Sequence, residues 1–372
     1  MDLELDENQR AIADLALQIL RESLTRERLR AIEATGDRIG TDEWKRLADA
    51  GLLGVPLTED VGGSGLGIVE ACLVLEQIGR TVAPLPYLAT VVGSAMPIDE
   101  FGSPAQRERI LPRVCDGSLL LATTLIEDGN ELATLLPSTT ARRDGSGWRL
   151  DGEKRVVPAA HVADLLLVPA RTADDACGVF LVDPRATGVT IDRSESTAGE
   201  PLSTVRLAGV RAGADDVLGD AHVGAEIVSW VVRRVTAGLC AVQAGVCGEA
   251  LRLTAAHVSE REQFGQKIAV FQAVQHQVAD MATALTAARH LTWQAITRVA
   301  AGTEEGMELM HAAAFVPQAF KRVTLAAHHL HGGAGYVVEH PLHLHSERAQ
   351  ALCIRYAPEA AALATIASDL LD

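Results

Sequence analysis

The feature that most constrains the fold is the long, apolar, helix-forming sequence in the C-terminal part of the chain. Residues 225–259 consist almost entirely of helix formers, and further helical patterns cover residues 271–301, 305–329 and 358–371. The polar faces of these helices are thin, because Ala and Val occupy several sides. Helices this apolar usually bury more than one face, so the sequence predicts a helical bundle that packs against another subunit.

The N-terminal part also has helical spacing, over residues 7–29 and 41–52. The glycine-rich loop at residues 61–67 could be read as a dinucleotide-binding fingerprint. It lacks the preceding strand and the βαβ unit that such a site needs, so we interpret it as the loop that begins a helix at Ile68.

The character of the chain changes near Gly117. Short apolar segments with strand-like spacing follow one another up to about residue 220, and turn residues separate them. The sequence therefore predicts a fold that is mostly α with a small β domain. The expected domains are an N-terminal helical domain at residues 1–117, a middle β domain at residues 118–220 and a C-terminal helical bundle at residues 221–372.

The charge of the chain argues against several classes of function. The 49 acidic side chains outnumber the 33 basic ones and give a formal net charge of -16. A strongly acidic surface repels phosphate backbones, which argues against nucleic-acid binding. No apolar run approaches the length of a membrane span, the first residues are too acidic for a signal peptide, and the six cysteines include no Cys-x-x-Cys pair. We therefore expect a reduced, soluble, cytoplasmic protein.

Three glycines interrupt helix-forming sequence within residues 328–341. Gly332, Gly333 and Gly335 would each cost a helix about 1 kcal/mol relative to alanine, so their presence needs a reason. One reason is a plain turn between two helices, which requires positive φ angles. The other is a close approach of backbone amides to a ligand such as a phosphate. The local sequence leaves both interpretations open.

Several motifs in a fixed order give the chain a family resemblance. Arg-x-x-Phe-Gly occurs at residues 261–265, and Gly-Gly-x-Gly-Tyr-x-x-Glu-x-Pro occurs at residues 332–341. Gly-Leu-Leu-Gly at residues 51–54 and Asp-Gly-x-Lys at residues 151–154 precede them. Together these motifs resemble the acyl-CoA dehydrogenase family over essentially the whole chain. The resemblance implies a barrel-like middle β domain, a C-terminal four-helix bundle and FAD as the cofactor.

In that family FAD lies at a subunit interface, and each site is built from two chains. A guanidinium and close backbone amides suit the two negative charges of the FAD pyrophosphate. The resemblance places His329 near the diphosphate as a hydrogen-bonding residue. The other residues that it implies for binding the neighbouring subunit's FAD are Arg261, Gln263, Phe264, Gly332, Gly333 and Gly335. The alternative for the arginine is an ion pair with Glu260 or Glu262.

The chain departs from the family at the positions that hold a subunit's own isoalloxazine ring. Where the family has Thr-Glu-Pro, this chain has Ile-Glu-Asp at residues 126–128 and keeps only the glutamate. Where the family has Trp-Ile-Thr, this chain has Val-Val-Pro at residues 156–158. The stacking tryptophan and the hydroxyl group are therefore missing, and the proline provides no backbone N–H.

The catalytic base of the family is also missing. Oxidation of an acyl thioester needs a carboxylate to remove the α-proton while hydride passes to the flavin. Tyr356 occupies the usual position of that glutamate, and a tyrosine with a pKa of about 10 is a poor base. Some relatives carry the glutamate in the stretch that is residues 231–238 here, which contains no acid. Glu249 and Glu347 remain candidates, and Glu339 is expected to hold the glycine turn together.

The histidines between residues 328 and 345 are dense enough to raise the question of a metal site. There is no His-Glu-x-x-His motif and no supporting pattern of Cys or Asp. We therefore predict no metal ion.

The sequence leads to the hypothesis that this chain is a non-catalytic subunit of a heteromeric, FAD-dependent acyl-CoA dehydrogenase. It resembles the subunit that lacks the catalytic glutamate in heteromeric actinobacterial enzymes, and its partner would be a paralogous subunit that carries the glutamate and binds the acyl-CoA. Two alternatives stay open: a homo-oligomeric flavoprotein with oxygenase-like chemistry, and a scaffold subunit without a cofactor. The sequence leaves the acyl substrate and the identity of the partner undetermined.

Overall fold

The computed structural model of the protein describes residues 5–128, 135–173, 176–302, 307–353 and 359–371. Its contacts divide the chain into two units. The bundle unit consists of Met1–Leu29, Cys72–Ala83 and Ala237–Asp372, and the sheet unit consists of Arg30–Ala71 and Pro84–Thr236. The three domain boundaries expected from the sequence remain a prediction.

Helices make up most of the chain, as the sequence predicts. They are α1 (Glu7–Ser23), α2 (Arg26–Glu33), α3 (Thr41–Asp49), α4 (Ile68–Arg80), α5 (Met96–Phe101), α6 (Pro104–Cys115), α7 (Gly224–Glu260), α8 (Gln272–Ala300), α9 (Met307–His331), α10 (Leu342–Cys353) and α11 (Glu359–Leu371). The prediction that the glycine-rich loop begins a helix at Ile68 is correct. Helix α10 is a finding of the structure, because the histidines in its first turns hide its helical spacing.

The sheet unit contains an eight-stranded sheet. Its strands are β1 (Leu121–Thr123), β2 (Thr140–Asp144), β3 (Gly147–Pro158), β4 (Leu165–Ala173), β5 (Ala176–Val182), β6 (Val189–Glu195), β7 (Pro201–Ala212) and β8 (Val217–Leu218). The order is β6-β7-β3-β2-β4-β5-β8, and β1 pairs with β4 in parallel. The fold class, mostly α with a small β domain, is therefore confirmed.

Alternating side chains along the strands build the core of this sheet. In β7, Ser203, Val205 and Leu207 are buried, and Arg206 between the last two is exposed. This period of two is the one expected of a strand with a single buried face. Trp148 and Phe180 fill the centre of the core with their rings edge to face, 5.5 Å apart.

Helices α4 and α7 approach each other closely within the bundle unit, and glycines make the approach possible. A β-carbon at Gly245 would overlap the carbonyl oxygen of Glu76, and one at Gly79 would overlap the carbonyl oxygen of Val242. Side chains larger than hydrogen would force the backbones apart. None of the described helices is long and apolar enough to cross a membrane.

Replacing Gly245 by alanine should destabilise the bundle unit, because the added methyl group has no space. We expect Gly245→Ala to lower the free energy of unfolding by about 1–3 kcal/mol. Gly248 is the matched control, because it lies on the same helix with open space where its β-carbon would be. Gly248→Ala should raise stability by up to about 1 kcal/mol through helix propensity. Urea unfolding of both variants checks the prediction, and equal effects would contradict it.

Candidate flavin-binding site

A short hairpin follows the C-terminus of α7. Its strands are β9 (Glu262–Gln263) and β10 (Gln266–Lys267). The backbone N–H of Arg261 donates to the carbonyl oxygen of His257 at 2.8 Å, which ties the hairpin to the last turn of the helix. Phe264 and Gly265 form its two-residue turn, with φ angles of 57° and 76°. Two positive φ angles define the type I′ turn, which matches the twist of antiparallel strands.

The hairpin presents Phe264 and Arg261 to solvent. Phe264 is 90% exposed and touches one aromatic neighbour, Phe271, edge to face. A left-handed conformation costs a non-glycine residue about 1–2 kcal/mol, and the contact with Phe271 is the one aromatic contact of Phe264 among the described residues that offsets this cost. Arg261 is also exposed, and within the described residues it forms no ion pair with Glu260 or Glu262. The alternative interpretation of this arginine is therefore not observed.

The glycine turn, Gly332–Tyr336, begins directly after α9. Gly332 has a φ angle of 56°, which accounts for a glycine there. Gly335 is buried, and a β-carbon on it would lie 3.0 Å from the Cβ atom of His331. Gly333 is exposed, has no positive φ and would meet nothing within 4 Å. A plain turn therefore explains Gly332 and Gly335 but not Gly333.

Stacked histidines join the hairpin to the glycine turn. The rings of His257 on α7 and His331 on α9 are stacked with their centroids 4.3 Å apart. His340 meets His331 from another direction at 4.7 Å, and His328 stacks on Tyr336 at 4.4 Å. The backbone carbonyl of His257 accepts the hydrogen bond that starts the hairpin, so this stack connects the helix end that carries the hairpin to the helix end that carries the glycine turn.

The remaining predicted residues of this region are exposed. Gln263 lies in β9 and pairs with Gln266, while His329 lies on the outer face of α9. Glu339 is exposed, and its expected role in holding the turn together remains a prediction. The carbonyl oxygen of the preceding residue, Val338, accepts a hydrogen bond from Arg26 at 2.8 Å.

The glutamate retained from the family's isoalloxazine segment is used inside the sheet unit. Glu127 and Lys154 form an ion pair of 2.7 Å, and both side chains are almost fully buried. Ser138 and the backbone N–H of Thr139 also donate to the Glu127 carboxylate. Burial raises the pKa of Glu127, but the charge and hydrogen bonds of Lys154, Ser138 and Thr139 outweigh it and lower the pKa to about 2. This carboxylate is therefore ionised and fully occupied.

The second isoalloxazine segment forms a bulge in β3. The pairing register shifts between Lys154 and Val157, and Val156 has a φ angle of 52° and is 40% exposed. A β-branched residue with positive φ is a conformational outlier that the surrounding structure must enforce. Val157 and Pro158 are buried. The bulge turns a strained, aliphatic side chain outward where the family has its aromatic ring.

The candidate bases differ in their surroundings. Glu249 forms ion pairs with Arg252 at 2.6 Å and Arg21 at 3.5 Å. Burial raises the pKa of Glu249, but the hydrogen bond and charge of Arg252 outweigh burial and lower it. Glu347 is exposed. Tyr356 lies outside the described residues.

The alternative base position falls on α7, where residues 231–238 carry arginines instead of an acid. The guanidinium of Arg234 lies over the ring of Trp230 at 3.4 Å, and burial lowers the pKa of Arg234 to about 10. Its Nε atom is buried and has no hydrogen-bond partner among the described residues. This position therefore offers a cation where some relatives offer a proton acceptor.

Metal ligation finds no support in the part of the chain that the structure describes. No three His, Cys, Asp or Glu side chains there are grouped so that they could hold an ion. The histidines contact each other and Tyr336 through their ring faces and edges.

One residue in each of the two units has a role that the sequence does not indicate. His257 lies far from the other histidines in the chain, and no local motif marks it. Lys154 belongs to the Asp-Gly-x-Lys motif, but nothing in this motif indicates that the lysine pairs with Glu127. Only the observation that Glu127 is retained without its family neighbours could have suggested that it needs a buried cation.

Comparison with known proteins follows the order of these elements. The sequence matches the acyl-CoA dehydrogenase N-terminal domain over residues 6–118, the middle domain over residues 122–210 and the C-terminal domain over residues 223–370. The acyl-CoA dehydrogenase FadE28 of Mycobacterium tuberculosis is 31% identical over 343 residues, which cover 92% of this chain and 91% of FadE28. FadE27 of the same organism is 30% identical over 351 residues, with the same coverage.

Solved structures agree in fold. A variant of the Tcur3481–Tcur3483 steroid acyl-CoA dehydrogenase superposes with a TM-score of 0.90 and 38% identity, over 98% of this chain and 99% of that one. The ChsE4–ChsE5 complex of M. tuberculosis gives a TM-score of 0.93 and 29% identity, over 100% and 99%. The chain belongs to the acyl-CoA dehydrogenase family, whose members are FAD-binding oxidoreductases that act on CH–CH groups.

Removing Lys154 should destabilise the sheet unit strongly. Lys154→Met leaves the Glu127 carboxylate buried without its partner, so we expect a loss of about 3–5 kcal/mol of unfolding free energy. The double variant Glu127→Gln/Lys154→Met should recover part of that loss. Arg149→Met is the control, because the Arg149–Asp144 pair is half exposed and contributes about 0–1 kcal/mol. Similar losses in both single variants, measured by urea unfolding, would refute the assignment.

The pH dependence of stability gives a second readout of the same pair. The pKa of Glu127 in the folded chain is about 2, below its ordinary value of 4.5. A depressed carboxyl pKa stabilises the fold fully above the ordinary value, and this stability is lost as the pH falls from 4.5 towards 2. In the double variant this part of the acid-induced loss should be absent.

Proposed function

We propose that this chain is the non-catalytic subunit of a heteromeric, FAD-dependent acyl-CoA dehydrogenase and that it completes the FAD site of a paralogous partner. The ChsE4–ChsE5 complex, which consists of two differently named chains, supports a heteromeric assembly. The 38% identical Tcur3481–Tcur3483 enzyme is a steroid acyl-CoA dehydrogenase, which favours a steroid-derived acyl thioester as the substrate of the assembly. The domain boundaries proposed for the chain are those expected from the sequence.

The observation that carries the proposal is the hairpin tip. Phe264 is 90% exposed in a conformation that disfavours any residue but glycine, and Arg261 beside it has no carboxylate partner among the described residues. An exposed aromatic ring and an unpaired guanidinium suit contact with another molecule. A flavin adenine dinucleotide held by a partner subunit offers both an aromatic adenine and a pyrophosphate.

The glycine turn fits the same ligand. Gly332 and Gly333 are exposed and leave open space where a β-carbon would be, so a phosphate could approach their backbone. His329 on the same side of α9 could donate a hydrogen bond to a phosphate oxygen. The residues that we propose for the FAD diphosphate site are Arg261, Gln263, Phe264, His329, Gly332, Gly333 and Gly335, the last of which is buried and would shape the turn.

At the positions where the family binds its isoalloxazine ring, this chain has residues that are poorly suited to bind that ring. The Glu127 carboxylate is fully occupied by Lys154 and neighbouring donors, and the bulge in β3 presents Val156 instead of an aromatic ring. Pro158 has no N–H to donate. The chain is thus suited to binding at the diphosphate end of a shared FAD, rather than at the reactive ring.

The division of roles follows from proton chemistry. When bound, FAD supplies the two-electron acceptor for oxidation of the Cα–Cβ bond. A carboxylate must take the α-proton, and of the candidate carboxylates among the described residues Glu127 and Glu249 are held in ion pairs, while Glu347 is exposed to solvent. The partner subunit would therefore provide the base and the acyl pocket. The role of this chain would be to orient the cofactor and neutralise its charge.

Removing the Arg261 guanidinium should weaken flavin binding by the complex. We expect Arg261→Ala, co-expressed with the adjacent paralogue, to bind FAD about ten- to a hundredfold more weakly, because a charge-assisted hydrogen bond is lost. Arg10→Ala on the exposed face of α1 removes the same charge elsewhere and should leave binding unchanged. Flavin absorbance during equilibrium dialysis measures both. Stoichiometric flavin and turnover in the lone chain would contradict the non-catalytic assignment, and unchanged binding would favour a cofactor-free scaffold.

Replacing Phe264 by glycine should separate folding from assembly. In the isolated chain the unfolding free energy should change by less than about 1 kcal/mol, because relief of the positive φ angle and the added flexibility of the unfolded chain offset each other. The complex should dissociate more readily by at least about tenfold, since the exposed ring is lost. Leu15→Ala, another exposed apolar side chain, serves as the control. Sedimentation of the co-expressed pair distinguishes the outcomes, and an unaltered complex would rule out contact through Phe264.

A further inference from the structure

A group of neutral imidazoles lies under the glycine turn and belongs to no step described so far. We call His257, His328, His331 and His340 the histidine cluster. Their rings lie 4.3 Å to 4.7 Å from each other or from Tyr336, and they connect α7, α9 and the segment that precedes α10. Imidazoles this close repel each other when charged, so the arrangement is compatible with the neutral forms.

His340 has a specific structural role within this cluster. Its Nδ1 atom accepts a hydrogen bond from the backbone N–H of Leu342 at 3.2 Å. Leu342 is the first residue of α10, so His340 caps this helix N-terminus with its side chain. A ring nitrogen accepts only when it carries no proton. Protonation would therefore remove the cap and place a positive charge at the positive end of the helix dipole.

His331, on the other side of the turn, also has a ring nitrogen that carries a lone pair. Its Nδ1 atom donates to the carbonyl oxygen of Ala327 at 2.8 Å, so the Nε2 atom carries the lone pair. That Nε2 atom is buried and has no hydrogen-bond partner among the described residues. His331 is 5% exposed, and the backbone of Gly335 packs against its Cβ atom. The turn is thus built directly on a ring that has an unused proton acceptor.

We propose that His340 is the positioning residue of the glycine turn and that its protonation releases the turn and the start of α10. Release of the turn would remove the backbone that holds the FAD diphosphate in acid, and this consequence rests on the proposed function. The release itself is a property of the chain and does not require a cofactor.

Burial, together with the charges around the cluster, sets the pH range of the release. Burial is the main cause that lowers the pKa of His340, and the nearby charges add to it, bringing the pKa to about 4. The pKa values of His257, His328 and His331 are lowered as well, again mainly by burial. The other titratable or charged groups that face the cluster are Arg26, Glu260, Arg261 and His343. Of these only Glu260 favours a protonated imidazole.

The sign of the pH dependence follows from these shifts. A histidine whose folded pKa is depressed must be neutral in the folded state, so the stability that it contributes is present above its ordinary pKa of 6.5. That stability is lost as the pH falls from 6.5 towards about 4. The turn should therefore open in acid before the chain as a whole unfolds.

Hydrogen exchange of the full chain tests this inference without any flavin. Peptides that cover residues 332–345 should exchange at least about tenfold faster at a pH near 5 than near 7, after correction for intrinsic exchange rates. His340→Asn should remove most of this pH dependence, because the asparagine oxygen can accept the Leu342 N–H and does not titrate. His340→Leu should leave the segment fast-exchanging at both pH values. His311→Asn, an exposed histidine near the other end of α9, should behave as the wild type.

Two results would overturn the inference. One is protection of residues 332–345 that does not depend on pH, and the other is unaltered acid sensitivity in His340→Asn. Neither result bears on the proposed function, which is decided by flavin content and turnover of the co-expressed complex. Conversely, an acid-sensitive turn in a chain that never binds flavin would uphold the release of the turn and reject its role in FAD binding.

Discussion

The stack of His257 on His331 is the contact on which the candidate site depends. It joins the end of α7, from which the hairpin begins, to the end of α9, from which the glycine turn begins. Each motif alone is a common structural element: a two-residue hairpin and a helix-terminating turn. Between them they present the Arg261 guanidinium, which has no ion-pair partner among the described residues, an exposed aromatic ring and open backbone. The neutral state of both rings is the condition for this arrangement, since like charges at 4.3 Å would repel.

The two regions that bind flavin in the family differ in this chain: the residues for the diphosphate are kept, and most of those for the isoalloxazine ring are not. At the hairpin the chain keeps an arginine, Arg261, that forms no ion pair with the described residues, and a largely exposed Phe264 with a strained φ angle. In the sheet unit, Glu127 has become an internal group that accepts hydrogen bonds from Lys154, Ser138 and Thr139. The contrast has a physical reason. A buried carboxylate needs hydrogen-bond partners within the chain, whereas an exposed group is solvated by water until a ligand binds. The strained Val156 shows that the bulge is present without the aromatic side chain that the family has there.

Much of the fold could be predicted from residue spacing. The apolar runs placed α7, α8, α9 and α11 within a few residues, because helix periodicity is strong over long segments. The loop before Ile68 was correctly assigned because a dinucleotide site needs a strand that the sequence lacks. Helix α10 was missed, since its histidines mask the apolar pattern. The expected role of Glu339 remains a prediction, and the contacts of Arg26 with Val338 and of His331 with His340 in the same segment have no local signal in the sequence.

The sequence by itself determined the fold class, the family and the absence of an acid in residues 231–238, because periodicity and ordered motifs are local properties of the chain. Only the tertiary structure decided which of the retained residues are free to act. It buried Glu127 against Lys154, gave Arg261 no ion pair within the described part of the chain and brought His257 from α7 onto His331 of α9. These outcomes depend on contacts between residues far apart in the chain, and no local pattern encodes them. In the sequence the glycine turn is an interruption of helix. In the structure it is a largely exposed segment that packs on neutral histidines.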